Sequence, residues 1–426
     1  MPAAASGKAE SAFQGGGLSR GRRALLALAC VAVIALVWLP SLHLFYSPDA
    51  AEVAAVGTLS PRARALLRHQ LGLWRDPSRR ARELERMRRA NAEWDFMGRT
   101  FLVLALANMA LREPERQAEH LEVADAIIDE TLRLERERSM FFFLMGYARE
   151  GRFVMQPPRS LFVDGEIALM LGARRLVKER DAYRQPMRRR VEEIARRMGR
   201  GPVLCAESYP DECWTFCNTV ALAALRISDA LDSTDHGPLL RRWVRTARRR
   251  LVDRPTGMLI SSFTLAGQVK DGPEGSSIWI AAHMLQVVDP ELARQQYRLA
   301  RAAMTRSVLG FAYATEWPRG RVGKLDVDSG PVVPVLGASP SSSGLALVAA
   351  RAFGDRELCS GLLATLELAG FPVRTGRSLR YAASNQVGDA VMLYAAALGP
   401  LWRRIGAPRR APERSDPEPR APGGGR

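Results

Sequence analysis

The chain has few of the sequence features that are typical of nucleic-acid-binding proteins. Its formal charge is +17 over 426 residues, yet lysine occurs only four times and the other basic residues are arginines. The arginine clusters at 188–190 and 248–250 lie within amphipathic stretches, which favours a solvated helix face over a binding surface. No aromatic–basic ribbon and no nucleic-acid motif accompanies them. We therefore predict no nucleic-acid partner.

Histidine and cysteine are also scarce, at five residues each. Three of the cysteines fall in one stretch, CAESYPDECWTFCNT, from Cys205 to Thr219. No Cys-x-x-Cys and no nearby histidine pair completes the four ligands of a structural zinc site around Cys213 and Cys217, so we expect no metal and no cofactor. Two alternatives stay open for the stretch. One is a Cys205–Cys213 disulfide, which needs an oxidising compartment; the other is free thiols near a predicted helix start.

Only one long apolar run occurs, from Ala24 to Tyr46, with His43 as its single potential charge. A run of about twenty apolar residues crosses a bilayer as a helix, and three arginines between Arg20 and Arg23 favour a cytoplasmic N-terminus. We predict a single-pass signal anchor at 24–46 after a disordered basic segment at 1–23, with the globular part periplasmic or extracellular. A cleaved signal peptide is the alternative, but no convincing cleavage site follows the run.

Alternating, strand-like runs are scarce from Leu59 onward, and helical spacing dominates. Ala/Leu/Gly-rich segments that should be buried all round alternate with Arg/Glu-rich amphipathic segments, at roughly fifty to seventy residues per pair. The pattern predicts an all-α domain at 59–402, an (α/α)6 toroid of helical hairpins, with an open α-solenoid as the alternative. The Pro/Gly/Arg-rich tail at 403–426 is predicted to be disordered. The six buried segments begin at Phe101, Gly165, Thr215, Ser276, Ser343 and Gly388.

The segments that precede the six buried helices are polar and aromatic. In a ring of helices these N-termini meet at one end, where free N–H groups favour polar and anionic ligands. Each segment alone is typical of an N-cap or a turn, but together they predict a pocket for a small-molecule substrate. The candidate substrate-binding residues are Trp94, Asp95, Tyr209, Trp214, Cys217, Asn218, Trp317, Asp326 and Asp328.

Several short motifs in this layout resemble the linalool dehydratase/isomerase family. The resemblance spans most of Leu59 to Leu401 and implies an (α/α)6 barrel. It also implies an enzyme that removes water from an allylic tertiary terpene alcohol, or shifts its hydroxyl reversibly, in an apolar pocket outside the cytoplasm. The motifs are EWDFMGRTFLVLALANMAL, SLFVDGEIALMLGARR, CAESYPDECWTFCNT, DGPEGSSIW and DVDSGP.

Such chemistry needs an acid to protonate the leaving hydroxyl and a base to accept a carbon-bound proton. The family uses cysteines, an aspartate and a histidine, and no histidine occurs between His120 and His236, so a carboxylate is expected in its place. The resemblance implies a hydro-lyase or isomerase with an apolar alcohol as substrate, and leaves a homo-oligomer open. The residues assigned to catalysis are Cys213, Cys205, Asp164 and Glu166.

Two other functions are compatible with the same fold, because toroids host many chemistries. One is a carbohydrate-active protein, either a glycoside hydrolase or a glycan-binding module, with paired carboxylates and aromatic platforms. The other is a non-catalytic envelope protein that keeps only the scaffold. The residues available to a glycosidase are Asp164, Glu166, Glu316, Asp326 and Trp317.

Overall fold

A computed structural model of the protein describes residues 19–54, 59–321, 323 and 326–406. The segments predicted to be disordered, 1–23 and 403–426, lie mostly outside this part of the chain. Where they enter it, Arg20 to Arg23 form the start of a helix and residues 403–406 the end of one.

An apolar helical segment leads the described chain. Helix α1 (Arg20–Val33) continues through a π-helical stretch (Ile34–Trp38), α2 (Leu39–Ser41) and a 3-10 turn (Leu42–Phe45). Its mean hydropathy reaches 2.6 and its apolar window is not buried against the protein. Among the described helices, it alone is long and apolar enough to cross a membrane; a membrane anchor and a signal peptide both fit its length and composition.

Helices make up most of the described chain from residue 50 onward. In chain order they are α3 (Ala50–Ala54), α4 (Pro61–Arg75), α5 (Pro77–Ala90), α6 (Ala92–Arg112), α7 (Gln117–Arg138), α8 (Leu161–Val177), α9 (Asp181–Arg200), α10 (Thr215–Asp232), α11 (Gly237–Arg250), α12 (Gly275–Leu285), α13 (Pro290–Met304), α14 (Pro340–Phe353), α15 (Arg356–Ala369), α16 (Gln386–Ala397) and α17 (Pro400–Gly406). Short 3-10 turns occupy Pro114–Arg116, Met140–Phe142 and Gly146–Arg149.

Six of these helices form a closed inner ring. Helix α6 packs on α8, α8 on α10, α10 on α12, α12 on α14, α14 on α16, and α16 returns to α6. The closure confirms the predicted toroid and rules out the open solenoid. Each of the six apolar segments predicted to be buried lies in one of these helices, and every residue of α8 is buried. A helix surrounded by protein needs no polar face, which explains the evenly apolar sequences.

The remaining long helices form the outer layer. Helix α7 packs between α6 and α8, α9 between α8 and α10, and α13 between α12 and α14, while α15 packs on α14. The sixth outer position is filled by α4, which packs on α16, with α5 beside it against α6. Helix α11 shows the expected one-sided burial: Leu240, Trp243, Val244 and Ala247 are buried, and the arginines between them face outward.

The described strands are short and lie in the connections between helices. Antiparallel strands β1 (Cys213–Trp214), β2 (Ser262–Phe263) and β3 (Val269–Asp271) form one sheet, with Cys213 opposite Phe263 and Trp214 opposite Ser262. Three hairpins follow, β4 (Thr305–Val308) with β5 (Phe311–Ala314), β6 (Asp326–Val327) with β7 (Gly330–Pro331), and β8 (Pro372–Thr375) with β9 (Ser378–Tyr381). They shape the end of the barrel at which the inner helices begin.

Candidate active site

A cavity of about 1010 Å³ lies at that end of the barrel. The first turns of the inner helices contribute to its wall, as predicted for a ring whose N-termini converge. One side is polar and aromatic, and the other is lined by aliphatic side chains of α14, α15 and α16. Lining residues near the helix starts are Glu93, Trp94, Phe162, Cys217, Ser276, Ser277, Ser341 and Gly388; aliphatic lining residues are Leu345, Leu347, Leu362, Leu366, Val391 and Met392.

Glu93, in the first turn of α6, forms the centre of the polar side. Its carboxylate accepts a hydrogen bond from the hydroxyl of Tyr209, and that hydroxyl accepts one from the backbone N–H of Met145 at 3.0 Å. The Tyr209 ring stacks on Tyr147 with centroids 4.8 Å apart. Burial raises the pKa of Glu93 to about 7, against the opposing effect of the Tyr209 hydrogen bond, and the negative charge of Asp328 raises it further.

Glu274 is the second lining carboxyl group with a raised pKa. It immediately precedes α12, and burial together with the nearby charges of Glu316 and Asp271 raises its pKa to about 8. Like-charged neighbours disfavour the ionised form. Both Glu93 and Glu274 therefore have a pKa raised towards neutral pH.

Two further acidic residues of the cavity wall, Glu316 and Glu212, are held by hydrogen-bond donors. Glu316 accepts hydrogen bonds from the Ser276 backbone N–H at 3.0 Å, from the Ser276 hydroxyl, and from the Ser339 hydroxyl at 2.7 Å. Glu212 accepts from the Lys270 ammonium and the Trp214 indole N–H. These donors fix the positions of both carboxyl groups in the cavity wall. In the described chain, no group of three or more His, Cys, Asp or Glu side chains is placed to hold a metal ion.

The three clustered cysteines occupy two different environments. Cys217, in the first turn of α10, lines the cavity. Cys205 and Cys213 are fully buried behind the wall, so the expectation that these two thiols face the substrate is corrected. The structure describes all five cysteines of the chain and none forms a disulfide. Burial raises the pKa of Cys217 and Cys213 well above the usual thiol value, so both are protonated.

The loop that carries these cysteines is fixed by polar side chains. Asn218 is completely buried; its amide oxygen accepts from the Ala206 N–H at 3.2 Å and its amide nitrogen donates to the Trp214 carbonyl at 2.8 Å. Buried Glu207 accepts from the backbone N–H groups of Val154 at 2.8 Å and Met155 at 2.7 Å. Asn218 was assigned to substrate binding, but it does not line the cavity and instead positions the loop.

Two predicted site aspartates belong to buried ion pairs instead. Asp164 accepts from Arg159 at 2.7 Å and from Arg190 at 2.6 Å, which directs its carboxylate away from the cavity. Asp95 accepts from Arg99, one helical turn away, at 2.8 Å and is 1% exposed. Neither residue lines the cavity. Their first-turn positions suggested a site role, but an arginine on a neighbouring turn or element engages each of them.

Glu166 lies deeper in the barrel, one turn beyond the lining residue Phe162 on α8. It is 3% exposed and does not line the cavity. Burial raises its pKa to about 7, against a small opposing hydrogen bond from Thr100. Glu166 therefore has no direct access to the cavity, and this does not support the catalytic role predicted for it.

Aromatic side chains form a further part of the cavity wall. Trp94, Trp214, Trp317 and Tyr209 all line the cavity, and the Trp94 indole donates to the Asp328 carbonyl at 3.2 Å. Asp328 lines the cavity too, whereas the side chain of Asp326 lies outside the described part of the structure.

The family model described as linalool dehydratase/isomerase matches residues 166–387, which is more than half of the chain. The chain belongs to this family. The matched segment runs from α8 into α16 and contains the cysteine stretch, Glu274 and Glu316. Glu93 and Trp94, on α6, lie before it.

Two solved structures are similar to this member of the linalool dehydratase/isomerase family. One is an α-mannanase from Bacteroides thetaiotaomicron, with 13% identity and a TM-score of 0.45, covering 72% of this chain and 86% of that one. The other is an α-amylase from Clostridium perfringens, with 9% identity and a TM-score of 0.42, covering 70% of this chain and 86% of that one.

Sequence reasoning overlooked several lining groups of this linalool dehydratase/isomerase family member. Glu93 directly precedes the predicted Trp94 and could have been found from that position. Glu212 lies inside the cysteine stretch, and Glu274 lies in the segment before a predicted inner helix. No sequence pattern pointed to Tyr147, because it belongs to a 3-10 turn that does not directly precede a predicted inner helix.

Proposed function

We propose that this protein is a membrane-anchored acid–base enzyme that removes water from an apolar, allylic, terpenoid-like alcohol or shifts its hydroxyl. The observation that supports this most directly is the shared cavity of Glu93, Glu274 and Cys217. Two carboxyl groups with different raised pKa values and a protonated thiol meet there between tryptophan rings and an aliphatic wall. The family membership supports a lyase or isomerase over other classes.

The different pKa values assign the two roles, because environments that separate the pKa values of two titratable groups separate acid from base. Glu274, with a pKa of about 8, carries a proton at neutral pH and transfers it to the leaving hydroxyl, which departs as water. Glu93, with a pKa of about 7, is partly ionised and accepts a proton from the carbon next to the resulting allylic cation. The C–O bond breaks in the first step, and a C–H bond breaks in the second to leave a new double bond.

The cavity wall supplies what the cation needs. Indole faces attract positive charge, and Trp94, Trp214 and Trp317 all line the cavity. The Cys217 thiol is protonated and donates a weak hydrogen bond to the substrate hydroxyl. Return of water to the other end of the allylic cation, with one of its protons passing back to the Glu274 carboxylate, gives the isomerised alcohol.

The proposed location follows from the N-terminal apolar helix. Arg20, Arg22 and Arg23 lie on its leading side and favour a cytoplasmic N-terminus. The helix then anchors the barrel on the non-cytoplasmic side of the membrane.

The test uses the purified full chain in detergent with allylic terpene alcohols in one arm and oligosaccharides in the other. Glu274→Gln and Glu93→Gln are expected to lose alcohol turnover, whereas Asp164→Asn and Cys213→Ala, away from the cavity, keep it per folded molecule. Cleavage of oligosaccharides without alcohol turnover would replace the proposal with a glycosidase, which would use the same carboxylates. Inactivity of the wild type in both arms would favour a non-catalytic scaffold.

A further inference from the structure

The apolar N-terminal segment docks on the barrel at one particular hairpin. From Pro40 to His43, and again at Tyr46, its residues are partly buried, whereas residues 24–39 are exposed. The Phe311 ring of β5 lies 6.4 Å from the His43 ring and 6.1 Å from the Tyr46 ring, measured between centroids. A side chain at Gly310 would overlap the His43 ring, and its φ of +84° also favours glycine. The turn between β4 and β5 is therefore shaped to receive the end of the helix.

With the segment Arg20–Phe45 as the proposed anchor, this docking puts the hairpin tip close to the membrane surface. The segment Arg20–Phe45 has 26 residues, or about 39 Å as a helix, which exceeds the roughly 30 Å of a hydrocarbon core. The ends of the segment therefore reach the interfacial regions. Trp38 and Tyr46, near its C-terminal end, are the residue types enriched at that depth, and Trp38 stacks on Phe45 with centroids 5.9 Å apart.

The tip lies beside the C-terminal end of α15. At the base of the hairpin, Thr305 and Asp355 both contact Arg301, at 3.0 Å each. In its middle, the Thr365 hydroxyl donates to the Ala312 carbonyl at 2.6 Å. The hairpin thus runs along α15, and its tip reaches the end of that helix.

Four large apolar side chains are exposed where these elements end. We call Val308, Leu309, Leu368 and Phe371 the apolar patch; their exposed fractions lie between 37% and 64%. Val308 and Leu309 are neighbours at the hairpin tip, and Leu368 and Phe371 lie at the end of α15 that the tip reaches; a contiguous exposed apolar surface marks an interaction site. The next element, the β8–β9 hairpin, carries the exposed Arg374, Arg377 and Arg380, which suits anionic headgroups.

We propose that the apolar patch inserts into the membrane surface beside the anchor helix and opens the cavity to apolar substrate dissolved in the bilayer. The elements that present the patch also line the cavity: Ala312 and Tyr313 of β5, Leu366 and Ala369 of α15, and the adjoining Gly370. The patch rests on the proposed anchor, and its role in substrate delivery rests on the proposed function. A lipid surface is the occupant because the membrane-crossing helix leaves the barrel at this point.

The experiment measures lipid contact without measuring turnover. Full-length Leu309→Cys and Phe371→Cys variants carry a nitroxide label in a Cys30→Ser background, because Cys30 is exposed and the other native cysteines are buried. They are reconstituted in nanodiscs of phosphatidylcholine and phosphatidylglycerol. Collisions with oxygen, which concentrates in lipid, are compared with collisions with a water-soluble nickel complex. Arg188→Cys, on the exposed face of α9 with 57% of its side chain accessible, is the matched control.

Labels at 309 and 371 are expected to favour oxygen over nickel several-fold more than the label at 188. Equal behaviour at all three positions would overturn the proposal, and so would shielding of 309 and 371 from both reagents, which would indicate a second copy of the chain on the patch. Failure of the wild type to enter nanodiscs would overturn the anchor together with the patch. Lipid contact in a protein without alcohol turnover would leave the patch intact and contradict only the proposed chemistry.

Discussion

The Tyr209 hydroxyl donates its hydrogen bond to the Glu93 carboxylate, and this contact joins the cysteine stretch to the first inner helix across 116 positions of sequence. A phenol donor stabilises the ionised carboxylate, whereas burial and neighbouring charges favour the neutral acid. Their balance leaves the pKa of Glu93 at about 7. The contact therefore sets the protonation state of the group that the proposed reaction uses as a base.

Replacement of that base removes the second proton transfer. Glu93→Gln is expected to lower kcat by a factor of about 10² to 10⁴, the usual contribution of a positioned acid–base group. Initial rates on an allylic alcohol measure it. Glu192→Gln, the same change on an exposed side chain of α9, is the control and should leave kcat unchanged. Retention of more than half the activity in Glu93→Gln would remove this residue from the mechanism.

The pH dependence of turnover should show both groups. The base is active when ionised, above a pKa of about 7, and the acid is active when protonated, below a pKa of about 8. The rate is expected to rise through the first value and fall through the second, giving a narrow maximum between them. Glu212 and Asp328 raise the pKa of both groups, so removal of either charge should move both limbs of the profile to lower pH.

Tyr209→Phe distinguishes the two limbs of that profile. Loss of the hydrogen bond that stabilises the Glu93 carboxylate raises its pKa, so the ascending limb should move to higher pH while the descending limb stays in place. Profiles of kcat for the two proteins at constant ionic strength measure the shift. An unchanged ascending limb would mean that Glu93 is not the group that titrates there.

The fold could be predicted because the alternation of apolar and amphipathic segments repeats along the whole barrel. Each inner helix is apolar on all sides and each outer helix carries a polar face. An error in the predicted boundary of one helix therefore does not change the overall pattern. The sixth outer position was harder to foresee. Helices α4 and α5 fill it, and their amphipathic sequence is equally compatible with a cap on the ring.

The site was predictable in region but not residue by residue. Segments before the inner helices do line the cavity, since helix N-termini converge in a closed ring. Which side chain points inward depends on partners distant in sequence: Arg190 lies 26 positions from Asp164, and Glu207 orders a loop more than 50 positions away. No local pattern contains those partners. Two of the three clustered cysteines were therefore assigned to the cavity although they lie behind it.

The protonation state of the Cys217 thiol can be used to test whether the proposed reaction involves a covalent intermediate. Burial keeps its thiol protonated, so it acts as a weak donor and not as a nucleophile. Cys217→Ser replaces one donor with another and is expected to keep kcat within about tenfold, because one hydrogen bond contributes about 1 kcal/mol. Steady-state rates decide, with Cys213→Ala as the buried, non-lining control. A thousandfold loss in Cys217→Ser with an unaffected control would indicate covalent catalysis by a thiolate.

The Asp164 ion pairs should affect stability and not chemistry. Asp164→Asn leaves Arg159 and Arg190 without their shared carboxylate, and the cost of breaking a buried pair is about 3 kcal/mol, reduced by the partial exposure of Arg159. Denaturant unfolding measures it. Glu137→Gln breaks the exposed Arg133–Glu137 pair and should cost under about 1 kcal/mol. Equal costs in the two variants would contradict a structural role for Asp164.

Glu166 makes the stability of the barrel depend on pH. Its pKa is about 7 in the folded protein and near 4.5 when unfolded, so between these values the folded state binds more protons than the unfolded state. The stabilisation from its protonated form is complete below pH 4.5 and is lost as pH rises through 7. Glu166→Gln does not titrate, so it should match the wild type at pH 4 and exceed it by up to about 3 kcal/mol at pH 8. Unfolding free energies at both pH values measure the difference, with the exposed Glu122→Gln as the control. A difference that is the same at both pH values would show that Glu166 does not change protonation on folding.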